Sequence, residues 1–160
     1  MIDKSVTILT MKRYFDAKAE RVFEAWINPE IIRKWLFTSA ETNKVVKNEP
    51  YVGGTWEIVD HREGTDNRAI GEYMQIVQPN KLVFTFKMPQ FSELEDSITV
   101  EFDQFENGSE MKFTQKINVP HEEDWTAEDI QKAIAEAKDE TEQGFSLMFD
   151  NLKAIVQGIY

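Results

Sequence analysis

From Val45 to Val119 the apolar residues recur with a period of two, and segments with a helical period lie on either side of this stretch. Side chains alternate across a strand but return to one face of a helix every three or four residues. A chain ordered in this way is constrained to fold as a run of strands held between helices. Residues 5–15 read as a first strand, in which Val6, Ile8 and Thr10 alternate with Thr7, Leu9 and Met11. Val22, Phe23, Ala25, Trp26 and Ile27 then give residues 19–27 an apolar helical face. Asn28 suits an N-cap and Pro29 the first helical position, so a second short helix is expected over 29–35.

Within the period-two stretch, strands are expected at 44–49, 54–61, 69–78, 81–88, 96–106 and 109–119. The paired glycines of Val52-Gly-Gly-Thr55 make a turn, residues 62–67 make a hairpin loop, and Pro79-Asn80 makes a tight connection. Glu106-Asn-Gly-Ser109 carries the Asn-Gly signal of a two-residue hairpin turn. Links this short join antiparallel strands. The inward face should hold Trp56 and Ile58, then Leu82, Phe84 and Phe86, then Ile98, Val100 and Phe102, then Met111, Phe113 and Ile117. Opposite positions are polar, so one face of the sheet meets a core and the other meets water. Thr126-Ala-Glu-Asp129 has the form of a capping box. Behind it Ile130, Ala133, Ile134 and Ala137 begin a helical rhythm, Gly144 marks a break or a close packing contact, and Phe145, Met148, Phe149, Leu152, Ile155 and Val156 form a broad stripe. The expected class is therefore α+β. One curved antiparallel sheet wraps around a long C-terminal helix, two short helices follow the first strand, and residues 1–160 form one domain.

A net charge of −11 sets this surface against a phosphate backbone or an anionic membrane, so neither nucleic acid nor membrane is an expected partner. Much of the charge sits in His121-Glu-Glu-Asp124 and in residues 136–142. That run reads either as a solvated helix face or as a docking surface for a basic partner. Disulfides and thiolate metal sites are ruled out by the lack of cysteine. No signal peptide opens the sequence and no apolar run reaches the length of a membrane span, which sets a cytoplasmic expectation.

Titratable groups suited to catalysis are few. His61 lies among Asp60, Arg62, Glu63 and Asp66, and reads as a general base, as a metal ligand with Asp60 and Asp66, or as a surface loop histidine. His121 with Glu122 and Asp124 poses the same choice. Ser92, Ser97 and Ser146 have no His–Asp context, Gly53-Gly54 has no lysine or helix behind it to cradle phosphate, and no dinucleotide fingerprint is present. No cofactor and no metal are expected.

The ordered set Ala19-Glu-Arg-Val-Phe-Glu-Ala-Trp-Ile-Asn-Pro-Glu30, Gly53-Gly-Thr-Trp56, Gly71-Glu-Tyr-Met-Gln-Ile76, Pro79-Asn-Lys-Leu-Val-Phe-Thr-Phe86, Ile98-Thr-Val-Glu-Phe102 and Gly144-Phe-Ser-Leu-Met-Phe-Asp-Asn-Leu152 carries a resemblance. It is similar to the SRPBCC (START/Bet v-type) superfamily, and within it to the family of activators of heat shock protein ninety ATPase, the AHSA-type proteins. The chain departs from the family pattern at Tyr51-Val52, where Arg-Pro is frequent, at Gly144-Phe145, where Gly-Trp is usual, and in a longer segment over 121–142. Co-chaperones of the family carry a further N-terminal chaperone-binding domain without a counterpart in these 160 residues. The resemblance implies a helix-grip fold and a pocket between sheet and helix. It also implies a hydrophobic small molecule as partner, of the lipid, polyketide or phenolic class. A chaperone-linked protein partner, or a cyclase or hydrolase in the same pocket, is its alternative implication.

Candidate pocket residues are Trp56, Tyr73, Phe84, Phe86, Phe102, Phe113, Phe145, Met148, Phe149 and Leu152. They either wall a cavity or fill a dry core, and eleven phenylalanines and four tryptophans are enough to make any cavity narrow. The strand phase of Tyr73 opposes Met74 and Ile76, which leaves its direction open between pocket and water. Glu57 and Gln115 are open in the same way. A carboxylate entering the pocket would have its pKa raised and could act as an acid.

Overall fold

The computed structural model describes residues 3–158. Its strands are β1 (Asp3–Phe15), β2 (Asn43–Asn48), β3 (Thr55–Arg62), β4 (Thr65–Val77), β5 (Lys81–Phe86), β6 (Asp96–Gln104) and β7 (Ser109–His121). They form a single antiparallel sheet in the order β1-β7-β6-β5-β4-β3-β2. Successive hairpins lay β2 to β7 side by side, and β1 pairs with β7. Helices α1 (Ala19–Ile27) and α2 (Pro29–Ile32) bridge β1 to β2, and α3 (Ala127–Gln157) follows β7.

Alternation settles which face is inside. Leu9, Met11 and Phe15 of β1 are buried, whereas Val6 and Ile8 are exposed. Met111, Phe113, Gln115, Ile117 and Val119 are the buried set of β7. Asn28 caps α2 by accepting the Glu30 N–H at 3.0 Å, with Pro29 at the first position. The helical segment is shorter than the expected 29–35, because the chain leaves it through turns that still bury Trp35. Thr126 and Asp129 close a capping box at the start of α3. From there α3 runs unbroken for 31 residues and lies over β1 and β7. It buries Phe145, Phe149, Leu152 and Val156.

Three local expectations need correction. The loop expected over 62–67 is a two-residue turn, since Arg62 pairs with Thr65 and both Glu63 (φ 52°) and Gly64 (φ 78°) have positive φ. That geometry matches the right-handed twist of the flanking strands. In the β6–β7 hairpin the Phe105 N–H donates to the Gly108 carbonyl at 2.8 Å, so the turn residues are Glu106 and Asn107, not Asn107 and Gly108. Gly144 neither breaks α3 nor makes a close contact, because a Cβ built there meets nothing within 4 Å.

Gly71 is the opposite case. A Cβ at Gly71 would lie 1.8 Å from the Thr85 carbonyl oxygen and 2.5 Å from Trp56 Nε1. The Trp56 indole N–H donates to that same carbonyl at 3.2 Å, so glycine is what lets the indole lie against β5. Two substitutions should therefore act in opposite directions in urea unfolding. Gly144→Ala is expected to stabilise by about 0.5–1 kcal/mol through helix propensity. Gly71→Ala is expected to destabilise by about 3 kcal/mol, because backbone rather than a flexible side chain must move.

Candidate functional site

The long helix lies mainly over β1 and β7. Over β2 to β5 the roof is made by α1, α2 and the loop that leaves α2. Trp26 of α1 is the meeting point. Its ring packs edge-on against Trp35 at 4.8 Å and also touches Phe84 of β5, Phe113 of β7 and Phe149 of α3. Trp35 is fixed by its own indole N–H, which donates to the Ala25 carbonyl at 3.0 Å.

Beside Trp26 remains a cavity of about 10 Å³, lined by Trp26, Ile32, Leu36, Val46, Trp56, Ile58, Tyr73 and Phe84, with Lys47 and Asn48 at its edge. That is the space of one water. Its walls are mostly apolar, and three of its lining residues, Trp26, Asn48 and Tyr73, carry polar groups. The Trp26 indole N–H is buried without a hydrogen-bond partner. The Asn48 amide donates to the Ile27 carbonyl and, at 3.4 Å, to the Tyr73 hydroxyl. Burial pushes the Tyr73 hydroxyl pKa up, against the smaller opposing pull of the Asn48 hydrogen bond. Tyr73 thus keeps its proton and can donate it. Tyr73 keeps the inward phase of Ala69 and pairs with the inward Phe84, and the register break between Tyr73 and Gln75 lets Ile76 return inside opposite Leu82 while Met74 is half exposed.

A second aromatic group adjoins the cavity through Trp56. Phe37 stacks on Phe86 with centroids 4.7 Å apart and planes within 5°. It lies parallel to Trp56 at 6.2 Å and edge-on to Phe145 at 5.6 Å. Its backbone has φ 57°, a left-handed conformation that costs a residue with a Cβ about 1–2 kcal/mol. Neighbours hold it there. The Phe37 N–H donates to Met148 Sδ at 3.2 Å, and the Thr38 hydroxyl donates to the buried carboxylate of Asp60 at 2.8 Å.

The ten expected pocket residues divide accordingly. Trp56, Tyr73 and Phe84 line the cavity. Phe86 and Phe145 surround Phe37, and Met148 accepts its N–H. Phe113 and Phe149 are packed around Trp26. Leu152 is fully buried in the core, and Phe102 packs on Phe23 at 5.8 Å, away from the cavity. Trp26, Phe37 and Asn48 were missed as site residues. Trp26 read as one member of a helical stripe, Phe37 lies in a segment without periodicity, and Asn48 closes a short strand.

The titratable candidates come apart. Asp60 turns inward to Thr38 and Thr42, while His61 next to it lies outside, with Nδ1 2.6 Å from Asp66. Hydrogen bonds from Lys44 first and His61 second hold the Asp66 carboxyl below the usual range. His121 packs near the Trp125 ring, while Glu122 and Asp124 are exposed. Among the described residues, no three His, Cys, Asp or Glu side chains gather as a metal site. Glu57 faces outward to Arg68. Gln115 faces inward and is buried, and its amide donates to the Asp96 carboxylate at 2.9 Å while its own oxygen has no partner.

Burial raises the Asp96 pKa above 3.8, against hydrogen bonds from Asn118 and Gln115 that lower it. For an acid raised in the fold, the group's contribution is most favourable below its ordinary pKa and is lost as pH rises through the raised value. Asp96→Asn should remove that loss, since a rotated Gln115 amide can accept from the new side chain. Urea unfolding across pH should show the variant gaining on the parent from about pH 4 upward, with no gain at lower pH.

The fold finds parallels among known proteins. A family model described as Activator of Hsp90 ATPase homolog 1-like protein matches residues 16–157. The solved structure of protein of unknown function SA2116 from Staphylococcus aureus is 30% identical over 98% of this chain and 96% of that one, with a TM-score of 0.91. An uncharacterized protein from Rhizobium leguminosarum is 21% identical over 98% of both chains, with a TM-score of 0.74. Ara h 8.0201 is 12% identical over 96% of this chain and 99% of that one, with a TM-score of 0.68. These last two show the shared fold alone. No curated protein matches the chain.

Proposed function

The chain belongs to the Activator of Hsp90 ATPase homolog 1-like family, and from that premise we propose that it binds a hydrophobic or aromatic small molecule between sheet and C-terminal helix, without chemical turnover. The observation that carries this reading is the unpartnered Trp26 N–H at an apolar cavity edged by the Tyr73 hydroxyl and Asn48. A buried donor without an acceptor costs about 1–3 kcal/mol, and a ligand oxygen placed there would recover it. Apolar walls with a few convergent polar groups are the usual make-up of a small-molecule site. The roof over this cavity is the four-residue α2 and its following loop, a smaller unit to displace than α3. At about 10 Å³ the cavity holds no such ligand as it stands, so binding on this reading requires the roof to open. A single domain acting in the cytoplasm is part of this reading.

A second reading, an interaction module with a chaperone-type or other protein partner, is favoured by the exposed acidic side chains Glu136, Asp139, Glu140 and Glu142 on α3. Deleting 121–142 would be a poor test of it, because Ala133, Ile134 and Ala137 pack against the core. Neutralising Glu136, Asp139 and Glu140 to their amides leaves that packing intact, and loss of partner capture in this variant would favour the second reading.

Native mass spectrometry of fresh protein, followed by thermal shift against lipids, sterols, flavonoids and polyketides, tests the first. Ligand at about a hundred times its Kd should add about 2.7 kcal/mol and raise Tm by several degrees, saturating with concentration. A clean ligand-free mass with no shift across the panel would refute the binding reading.

A further inference from the structure

We infer that the free edge of β1 is a docking site for an extended acidic peptide, which adds to the seven-stranded sheet as a further strand. This surface is separate from the small-molecule cavity, and its charge is opposite to that of α3.

β1 ends the sheet, so one of its two edges faces no strand. Its pairing with β7 runs one-to-one from Asp3 opposite His121 to Phe15 opposite Ser109, and β1 has neither a bulge nor a proline to spoil a second ladder. The other edge strand, β2, has only six residues and a register shift. Among the described residues, those from Lys4 to Met11 hydrogen-bond to nothing but β7. The N–H and C=O of every second residue there therefore point off the edge unpaired, as a template for another strand. Past that stretch the edge is closed. The Arg13 guanidinium donates to the Lys12 carbonyl at 2.8 Å and to Ser146 of α3 at 3.2 Å, and the Asp16 N–H donates to Gln157 at 2.8 Å.

The outer face beside this edge sets the chemistry of the incoming strand. Lys4, Val6, Ile8, Thr10 and Lys12 alternate onto it, with Val6 45% and Ile8 56% exposed. On β7, Lys116 stands opposite Ile8 and Lys112 opposite Lys12. Among the described residues, none of these four lysines has an ion pair. Glu101 lies two strands in, opposite Lys112, and Glu110 lies past the stretch, opposite Tyr14. A chain of net charge −11 thus carries one edge that is basic and apolar. Lys12 opposite Lys112 is a like-charge pair that costs stability, and a carboxylate beside it relieves that repulsion. A second copy is a poor occupant. Two paired β1 edges would gather Lys4, Lys12 and their copies along one seam, and lysine on an edge keeps like edges apart. The strand that fits lies antiparallel, with apolar side chains beside Val6 and Ile8 and carboxylates beside Lys4 and Lys12.

Titration of the capped peptide Glu-Ser-Thr-Ser-Val-Thr-Val-Ser-Glu into the intact, isotope-labelled chain tests this through the amide resonances. Laid antiparallel, its glutamates fall beside Lys12 and Lys4 and its valines beside Ile8 and Val6. Shifts should saturate and be largest from Ser5 to Thr10. Replacing both glutamates by lysine should weaken binding about tenfold. N-methylation of alternate peptide residues should weaken it about tenfold in one phase and be tolerated in the other, because only one set of N–H groups faces β1. The chain carrying Lys4→Glu and Lys12→Glu should prefer the lysine peptide, a reversal that loss of folding cannot produce. Equal binding of both N-methylated forms would reduce the contact to charge attraction and overturn the inference. No saturable shift, or shifts centred on α3, would overturn it as well. A dimer in sedimentation that Ile8→Lys abolishes would give the edge to a second copy instead. Phosphatidylserine vesicles moving the same resonances while the peptide does not would give it to a membrane.

Discussion

Trp26 lies edge-on against Trp35 at 4.8 Å, and around that contact α1, α2, the sheet and α3 are assembled. The same indole reaches Phe84, Phe113 and Phe149, so one side chain ties β5, β7 and the long helix to the short ones. The need for such a contact follows from the topology. An antiparallel sheet of seven strands has more inner surface than one helix can cover, and α3 lies along β1 and β7. The remaining inner surface must be met by large side chains from short elements, because dispersion and apolar burial fall off steeply across an unfilled gap. Trp26, Trp35, Leu36 and Phe37 meet it.

Filling by rings has a chemical consequence. Rigid planar groups leave few small voids but do not adapt, so polar atoms enclosed with them are hard to satisfy. The Trp26 N–H and the Gln115 amide oxygen are the result, each buried and unpartnered on the inner side. They lie on different parts of the sheet. Trp26 lines the cavity under α2, whereas Gln115 is on β7, the strand α3 lies over, and hydrogen-bonds Asp96 of β6. The helices thus divide the sheet between them, α3 mainly over β1 and β7 and the short elements over β2 to β5.

Much of this was legible from the order of hydrophobic periods. The alternation in β7 places Met111, Phe113 and Ile117 inside, where the structure has them, while Gln115, open between pocket and water in the sequence, proves buried in the same phase. The capping box at Thr126 located the start of α3 to the residue. Tyr73 was not legible, because strict alternation cannot foresee the register break that lets both Tyr73 and Ile76 face inward. Phe37 was not legible either. Its position depends on a left-handed backbone and on anchors at Met148 and Asp60 far along the chain, neither of which leaves a local pattern. Of the readings open for His61, joint ligation with Asp60 does not hold, since neighbours on a strand point to opposite faces and cannot share a ligand.

The most direct measurement of the divided roof is aromatic carbon relaxation dispersion on the ligand-free protein. Microsecond-to-millisecond exchange should be confined to the rings of Phe37, Trp56 and Phe86, while Phe113 of β7 and Phe149 of α3 remain quiet. Exchange absent from all five rings, or spread equally over both halves of the core, would contradict the account.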